Sequence, residues 1–144
     1  MTKLAEFRGT VMYADLRTHG GRIYPKPVVA GAVAKIKAKV KERYFFGGLM
    51  GNADFFTPEP TSLGKASHVI TDLHFDENNA LIADVEILDT PDGRLVKALL
   101  EEKAISLFPK GIGSFVTDAN GINVIQPDYE LTSIDFCPNE KLSW

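Results

Sequence analysis

The residues from Ala80 to Leu88 constrain this chain most. Leu81, Ala83, Val85 and Ile87 alternate there with Ile82, Asp84, Glu86 and Leu88, giving one apolar face and one mixed face. Apolar residues at period two line one side of a strand, and on a helix they would be scattered around the cylinder. The preceding segment, Gly64 to Asn78, alternates as well. Val69, Thr71, Leu73 and Phe75 share one face, and His68, Ile70, Asp72 and His74 share the other. With Glu77-Asn78-Asn79 as the turn, the two segments predict a hairpin. His68, Asp72 and His74 read either as polar residues on a solvated face or as an acid–base group. As metal ligands, three donors at alternate positions of one strand rarely close a tetrahedral site. No metal and no cofactor are expected.

The other elements follow from the same rules. Leu4 to Asp15 predicts a strand, and Thr18 to Pro25 a turn in which Gly20 and Gly21 allow a tight reversal and His19 is solvated. From Pro27 to about Arg43, Val29, Val33, Ile36 and Val40 recur at intervals of three and four, predicting an amphipathic helix. Lys35, Lys37, Lys39 and Lys41 fall largely outside its stripe, as a solvated face or a surface for an acidic partner. Tyr44 to Leu63 has no period; its Phe45, Phe46, Phe55 and Phe56 either pack over the core or form a contact patch. Thr90-Pro91-Asp92 opens a second helix with a capping hydroxyl, a first-turn proline and an acid near the positive dipole end. Leu95, Val96, Leu99 and Leu100 form its buried face, and Lys103 closes it. Phe115 to Thr117 and Ile122 to Ile125 predict a hairpin on a two-residue Asn120-Gly121 turn, and Tyr129 to Phe136 the last strand.

At 144 residues with 44% hydrophobic content, the chain predicts one domain over residues 1–144 with one core. A net charge of −3 without a basic block argues against nucleic acid as main partner. The lone Cys137 forms no internal disulfide and suits a reducing compartment. The charged N-terminal residues do not resemble a signal peptide, and no segment reaches the length of a membrane span. A cytoplasmic location follows as the expectation.

One stretch carries candidate chemistry. Ala104 to Ser114 sets Ser106 among apolar neighbours on a short strand, and Pro109, Gly111 and Gly113 are expected to break that strand. Backbone N–H groups could then turn toward whatever sits beside the serine. A hydroxyl beside free backbone donors is the layout that acyl transfer needs. The same residues also read as a buried serine before an ordinary turn.

Five segments in order, Gly21 to Pro25, Ser67 to Ile70, Ile87 to Arg94, Ile105-Ser106 with Gly111 to Ser114, and Tyr129 to Asp135, resemble the prohead core proteases of tailed phages. The resemblance spans about Gly21 to Asp135. It implies an α+β fold, a mainly antiparallel β-barrel-like sheet with two main helices, shared with herpesvirus assemblins. It also implies a head-maturation serine endopeptidase, with phage capsid or scaffold proteins and further copies of itself as partners. Its location would be the host cytoplasm during assembly and then the phage head. Ser106 matches the family's nucleophile, and Lys110 to Gly113 its oxyanion turn, although Leu107-Phe108-Pro109 replaces a shorter link. The family's general base is a histidine in a Gly-Glu-Leu-x-His-Pro motif. This chain has no histidine between Arg22 and Ser67, and Thr57 stands in its place. Threonine cannot take a proton from serine near neutral pH. The resemblance leaves two readings: a structural or regulatory head component that kept the fold without the reaction, or an active enzyme in which His68 or His74, oriented by Asp72, serves as base.

Overall fold

The computed structural model describes residues 2–50, 61 and 63–139. Phe55, Phe56 and Thr57 lie outside the described residues. The hairpin predicted around Glu77-Asn78-Asn79 forms the middle of a four-stranded sheet. Strand β1 (Lys3–Tyr13) pairs antiparallel with β5 (Ala80–Leu88), β5 with β4 (His68–Phe75), and β4 with the short β3 (Phe46–Gly47). Leu81, Ala83, Val85 and Ile87 are all buried, as their alternation requires.

Beyond β3 the sheet continues. Phe136 N–H donates to the Gly48 carbonyl at 2.9 Å, and Met50 N–H donates to the Phe136 carbonyl at 2.9 Å. These bonds join β3 to β9 (Glu130–Pro138), which pairs antiparallel with β6 (Ile105–Ile112), and β6 packs against β1. The junction is a parallel bridge between Leu49 and Phe136, and the result is a curled, mainly antiparallel half-barrel with Phe136, Ile134, Ile70 and Met12 fully buried in its interior. A separate small sheet joins β2 (Arg22–Ile23), β8 (Asn123–Ile125) and β7 (Phe115–Thr117). The architecture is α+β, and no helix among the described residues is long and apolar enough to cross a membrane.

Helix α1 (Lys26–Lys41) buries Val28, Val29, Ala32, Ile36 and Val40 against the sheet, with Val33 partly buried beside them. Helix α2 (Pro91–Glu101) starts as its capping signal predicts: Gly93 N–H donates to Thr90 Oγ1 at 2.9 Å. Its buried stripe differs from expectation. Gly93 and Val96 are buried and Leu99 and Leu100 partly so, whereas Leu95 is 48% exposed. The reason is close approach at the first turn, where a Cβ on Gly93 would lie 1.8 Å from the Leu88 carbonyl oxygen. That contact rotates the helix onto the Gly93–Val96 line. Lys103 stands just past the helix end in the left-handed region at φ 55°, where its N–H donates to the Leu100 carbonyl at 3.0 Å and closes the last turn.

Gly93→Ala is therefore expected to lower stability by about 1–3 kcal/mol through overpacking. Helix propensity alone would give a gain of about 1 kcal/mol from the same change. Urea melts of the two proteins decide the sign, and a stabilised variant would mean that the helix can shift outward cheaply.

Two turns differ from their predictions. Asn120-Gly121 is not a two-residue turn: only Gly121 has positive φ, at 77°, and the loop spans Asp118 to Ile122. The Asp118 carboxylate organises it, accepting from the N–H groups of Asn120 at 2.8 Å and Ile122 at 3.0 Å. The second is the expected break after Ser106. Strand β6 instead runs through Pro109 to Ile112, opposite Glu130 to Pro138. A strand with one ladder partner has an edge on which a proline's missing N–H is tolerated.

Candidate functional site

Ser106 sits near the start of β6, opposite Cys137 on β9. Its Oγ donates to Asn139 Oδ1 at 2.6 Å. Asn139 in turn donates its Nδ2 to the Lys103 carbonyl at 2.8 Å and its backbone N–H to the Ala104 carbonyl at 3.1 Å. The three bonds fasten the end of β9 to the junction of α2 and β6. An amide oxygen accepts a hydrogen bond but does not remove a proton near neutral pH, so this partner does not activate the hydroxyl. Among the described residues, no hydrogen bond joins Ser106 to a histidine.

The proposed oxyanion donors have structural surroundings of their own. Lys110, Gly111 and Ile112 lie in the β6 ladder opposite Ser133, Leu131 and Glu130, with a register shift between Lys110 and Gly111. Neither Gly111 nor Gly113 has positive φ. Both make room for Tyr129. A Cβ on Gly111 would lie 2.6 Å from the Glu130 carbonyl oxygen and 2.8 Å from the Tyr129 ring, and one on Gly113 would lie 2.8 Å from Tyr129 Cα. Tyr129 is buried, packs edge-on against Tyr24, and its phenol is held well above its ordinary pKa by desolvation.

His68 and His74 part company, contrary to the expectation of one shared polar face. A register shift between Ile70 and Asp72 sends His68 inward and leaves Asp72 and His74 exposed. His68 is fully buried, with its ring edge-on to Phe136 at 4.7 Å between centroids. Both nitrogens are engaged: Nε2 lies 2.7 Å from the Ile134 carbonyl oxygen, and Nδ1 lies 2.7 Å from Ser67 Oγ. A carbonyl oxygen only accepts, which makes Nε2 the protonated nitrogen and Nδ1 the acceptor of the Ser67 hydroxyl. Burial pushes the imidazole down to about 4, against smaller opposing effects of the Ile134 carbonyl and Asp135. The ring is therefore neutral at physiological pH. Gly47 makes this packing possible, because a Cβ there would lie 2.2 Å from His68 Nε2 and 2.0 Å from the Ile134 oxygen.

His74 lies on the outer surface with Nδ1 2.8 Å from Asp72 Oδ2. Asp72, His74 and Asp84 offer three ligand atoms within 4.8 Å of one another. Arg8 already grips Asp84 through both oxygens, at 2.5 and 3.0 Å, and holds its carboxyl below the usual range. A cation at this cluster would compete with that guanidinium. His19 is exposed in its turn.

Sequence reasoning passed over the most elaborate polar cluster. Asp135, 2% exposed, accepts at Oδ1 from Gly48 N–H at 3.0 Å, from Thr61 Oγ1 at 3.2 Å and from Ser133 Oγ. Its Oδ2 lies 3.4 Å from Lys110 Nζ, whose side chain is largely buried. The signal was present in Thr-Ser-Ile-Asp, where Ser133 and Asp135 occupy the face begun by Leu131. Beside this cluster, a groove of about 530 Å³ runs between α1 and the start of β9. Its walls include Lys35, Lys39, Tyr44, Phe46, Thr61 and Thr132. Of the four phenylalanines expected either to pack over the core or to form a contact patch, Phe45 is buried and Phe46 is half-buried.

No family model matches the chain, and no curated protein matches it. Among solved structures it is similar to the bacteriophage T4 capsid assembly protease, gp21, with a TM-score of 0.80. The likeness covers 92% of this chain and 80% of that one at 18% identity, which establishes a common fold.

Proposed function

We propose that this protein takes part in phage capsid assembly as a non-proteolytic component that kept a capsid-protease fold. It would act through contacts with capsid or scaffold proteins and with copies of itself, in the host cytoplasm and then in the phage head. The likeness to the T4 capsid assembly protease supports the setting. The observation that carries the loss of catalysis is the Ser106 hydroxyl donated to Asn139, with His68 locked between Ile134 and Ser67 and His74 paired to Asp72. A serine without its base loses on the order of 10⁴–10⁶ in rate.

The test is co-expression with the capsid and scaffold proteins of the same phage, followed on gels for cleavage. We expect the wild type and Ser106→Ala to give the same uncut products and the same co-purifying partners. We also expect Ser106→Ala to cost less than about 1 kcal/mol, because it removes one exposed hydrogen bond. Cleavage that vanishes in Ser106→Ala would instead make this an active serine endopeptidase with Ser106 as its nucleophile.

A further inference from the structure

We propose that the groove between α1 and the start of β9 docks a short segment of a partner polypeptide that carries carboxylates and an apolar side chain. This goes beyond the function proposed above by giving the partner's chemistry, and it rests on that reading only for where such a partner is met. The groove has three parts that suit this occupant. Its floor is apolar, with Ile36, Phe45 and Leu131 each nearly fully buried beneath it. At one end Tyr44, 69% exposed, tilts against Phe46 at 5.7 Å between centroids and offers an uncovered aromatic surface. Along one side stand Lys35 and Lys39, one helical turn apart on α1.

Charge decides what fits. The whole chain carries −3, yet α1 holds Lys26, Lys35, Lys37, Lys39 and Lys41 and no acidic residue. Among the described residues neither Lys35 nor Lys39 forms an ion pair within salt-bridge distance. Lys35 donates to the Tyr129 carbonyl at 3.3 Å, with Asp128 in its wider field. Two ammonium groups over an apolar floor form a complementary surface for carboxylates flanking a hydrophobic side chain. A volume of about 530 Å³ lies in the range, about 300–1,000 Å³, that encloses a small ligand or a few residues of peptide. Nucleic acid fits less well, because its affinity comes from many phosphate contacts and, among the described residues, two cations line the groove.

The probe is a fluorescein-labelled nonapeptide of alternating glutamate and leucine, titrated with the full chain and read by anisotropy. Saturable binding is expected that weakens as salt rises. It should fall about tenfold in Lys35→Glu/Lys39→Glu and severalfold in Tyr44→Ala. Lys37→Glu/Lys41→Glu, which changes the helix charge equally outside the groove, should leave it within about twofold. Thermal melts of the variants confirm folding, since all these side chains are on the surface. The proposal is overturned by absent binding, by equal binding of a lysine–leucine peptide, by equal loss in the Lys37/Lys41 pair, or by tighter binding of a labelled oligothymidylate. No capsid protein and no cleavage enter this measurement, so its failure is separate from failure of the assembly reading.

Discussion

Asp135→Ala is expected to cost about 3–5 kcal/mol, enough to unfold a marginal domain at moderate temperature. The carboxylate answers four donors at once: Gly48 N–H, the hydroxyls of Thr61 and Ser133, and the Lys110 ammonium. Removing it leaves a nearly buried cation and a buried amide with no acceptor, and the desolvation of both is then uncompensated. The bond from Gly48 lies beside the Gly48–Phe136 connection, so the damage falls where β3 joins β9 and the sheet curls. Denaturant midpoints measure the cost. Adding Lys110→Met to Asp135→Leu should recover a large part of it, because a neutral pair of similar bulk carries no unpaired charge. A loss below about 1 kcal/mol for Asp135→Ala would show that water reaches the site and the carboxylate holds nothing together.

The second large effect is a dependence on pH traceable to His68. Its folded pKa of about 4 lies below the value of about 6.5 for an exposed histidine. The unfolded chain therefore takes up this proton first as the medium is acidified. The stability associated with the neutral ring is fully present above about pH 6.5, declines between about 6.5 and 4, and is gone below that window. The integrated effect is up to about 3 kcal/mol. Unfolding free energies of wild type and His68→Gln across pH 4–7 isolate it from the carboxylates, which titrate in both proteins. The difference between the two should shrink by up to about 3 kcal/mol as pH falls. Parallel profiles would mean that the ring opens to water before it protonates.

The His68 result also bears on the absence of proteolysis proposed for this chain. An imidazole packed on Phe136 with both nitrogens engaged is a structural group, and freeing it would empty a space at the centre of the barrel. Asp135 behaves in the same way: it matches the last segment of the family resemblance, yet its oxygens are spent on holding strands together.

What the sequence alone determined was the main elements, those set by neighbours along the chain. Period-two alternation gave β4 and β5, the three-and-four spacing gave α1, and Thr90-Pro91 gave the start of α2, because those patterns report local geometry and one buried face. The five segments in order also pointed to the fold that the structure has. Tertiary structure alone decided what each polar residue does. A one-residue shift inside β4 moved His68 to the interior and left His74 outside, and no spacing rule contains that shift. Gly47, Gly93, Gly111 and Gly113 read as turn residues or as nothing in particular, but three dimensions show them as the places where Ile134, Leu88 and Tyr129 press against the backbone. Ser106 looked like a nucleophile because a strand break was expected beside it; the ladder to β9 runs on through Pro109 and hands its hydroxyl to Asn139, 33 positions away. Alternation along a chain records which side of an element faces inward, and only the packing of distant segments records which partner waits there.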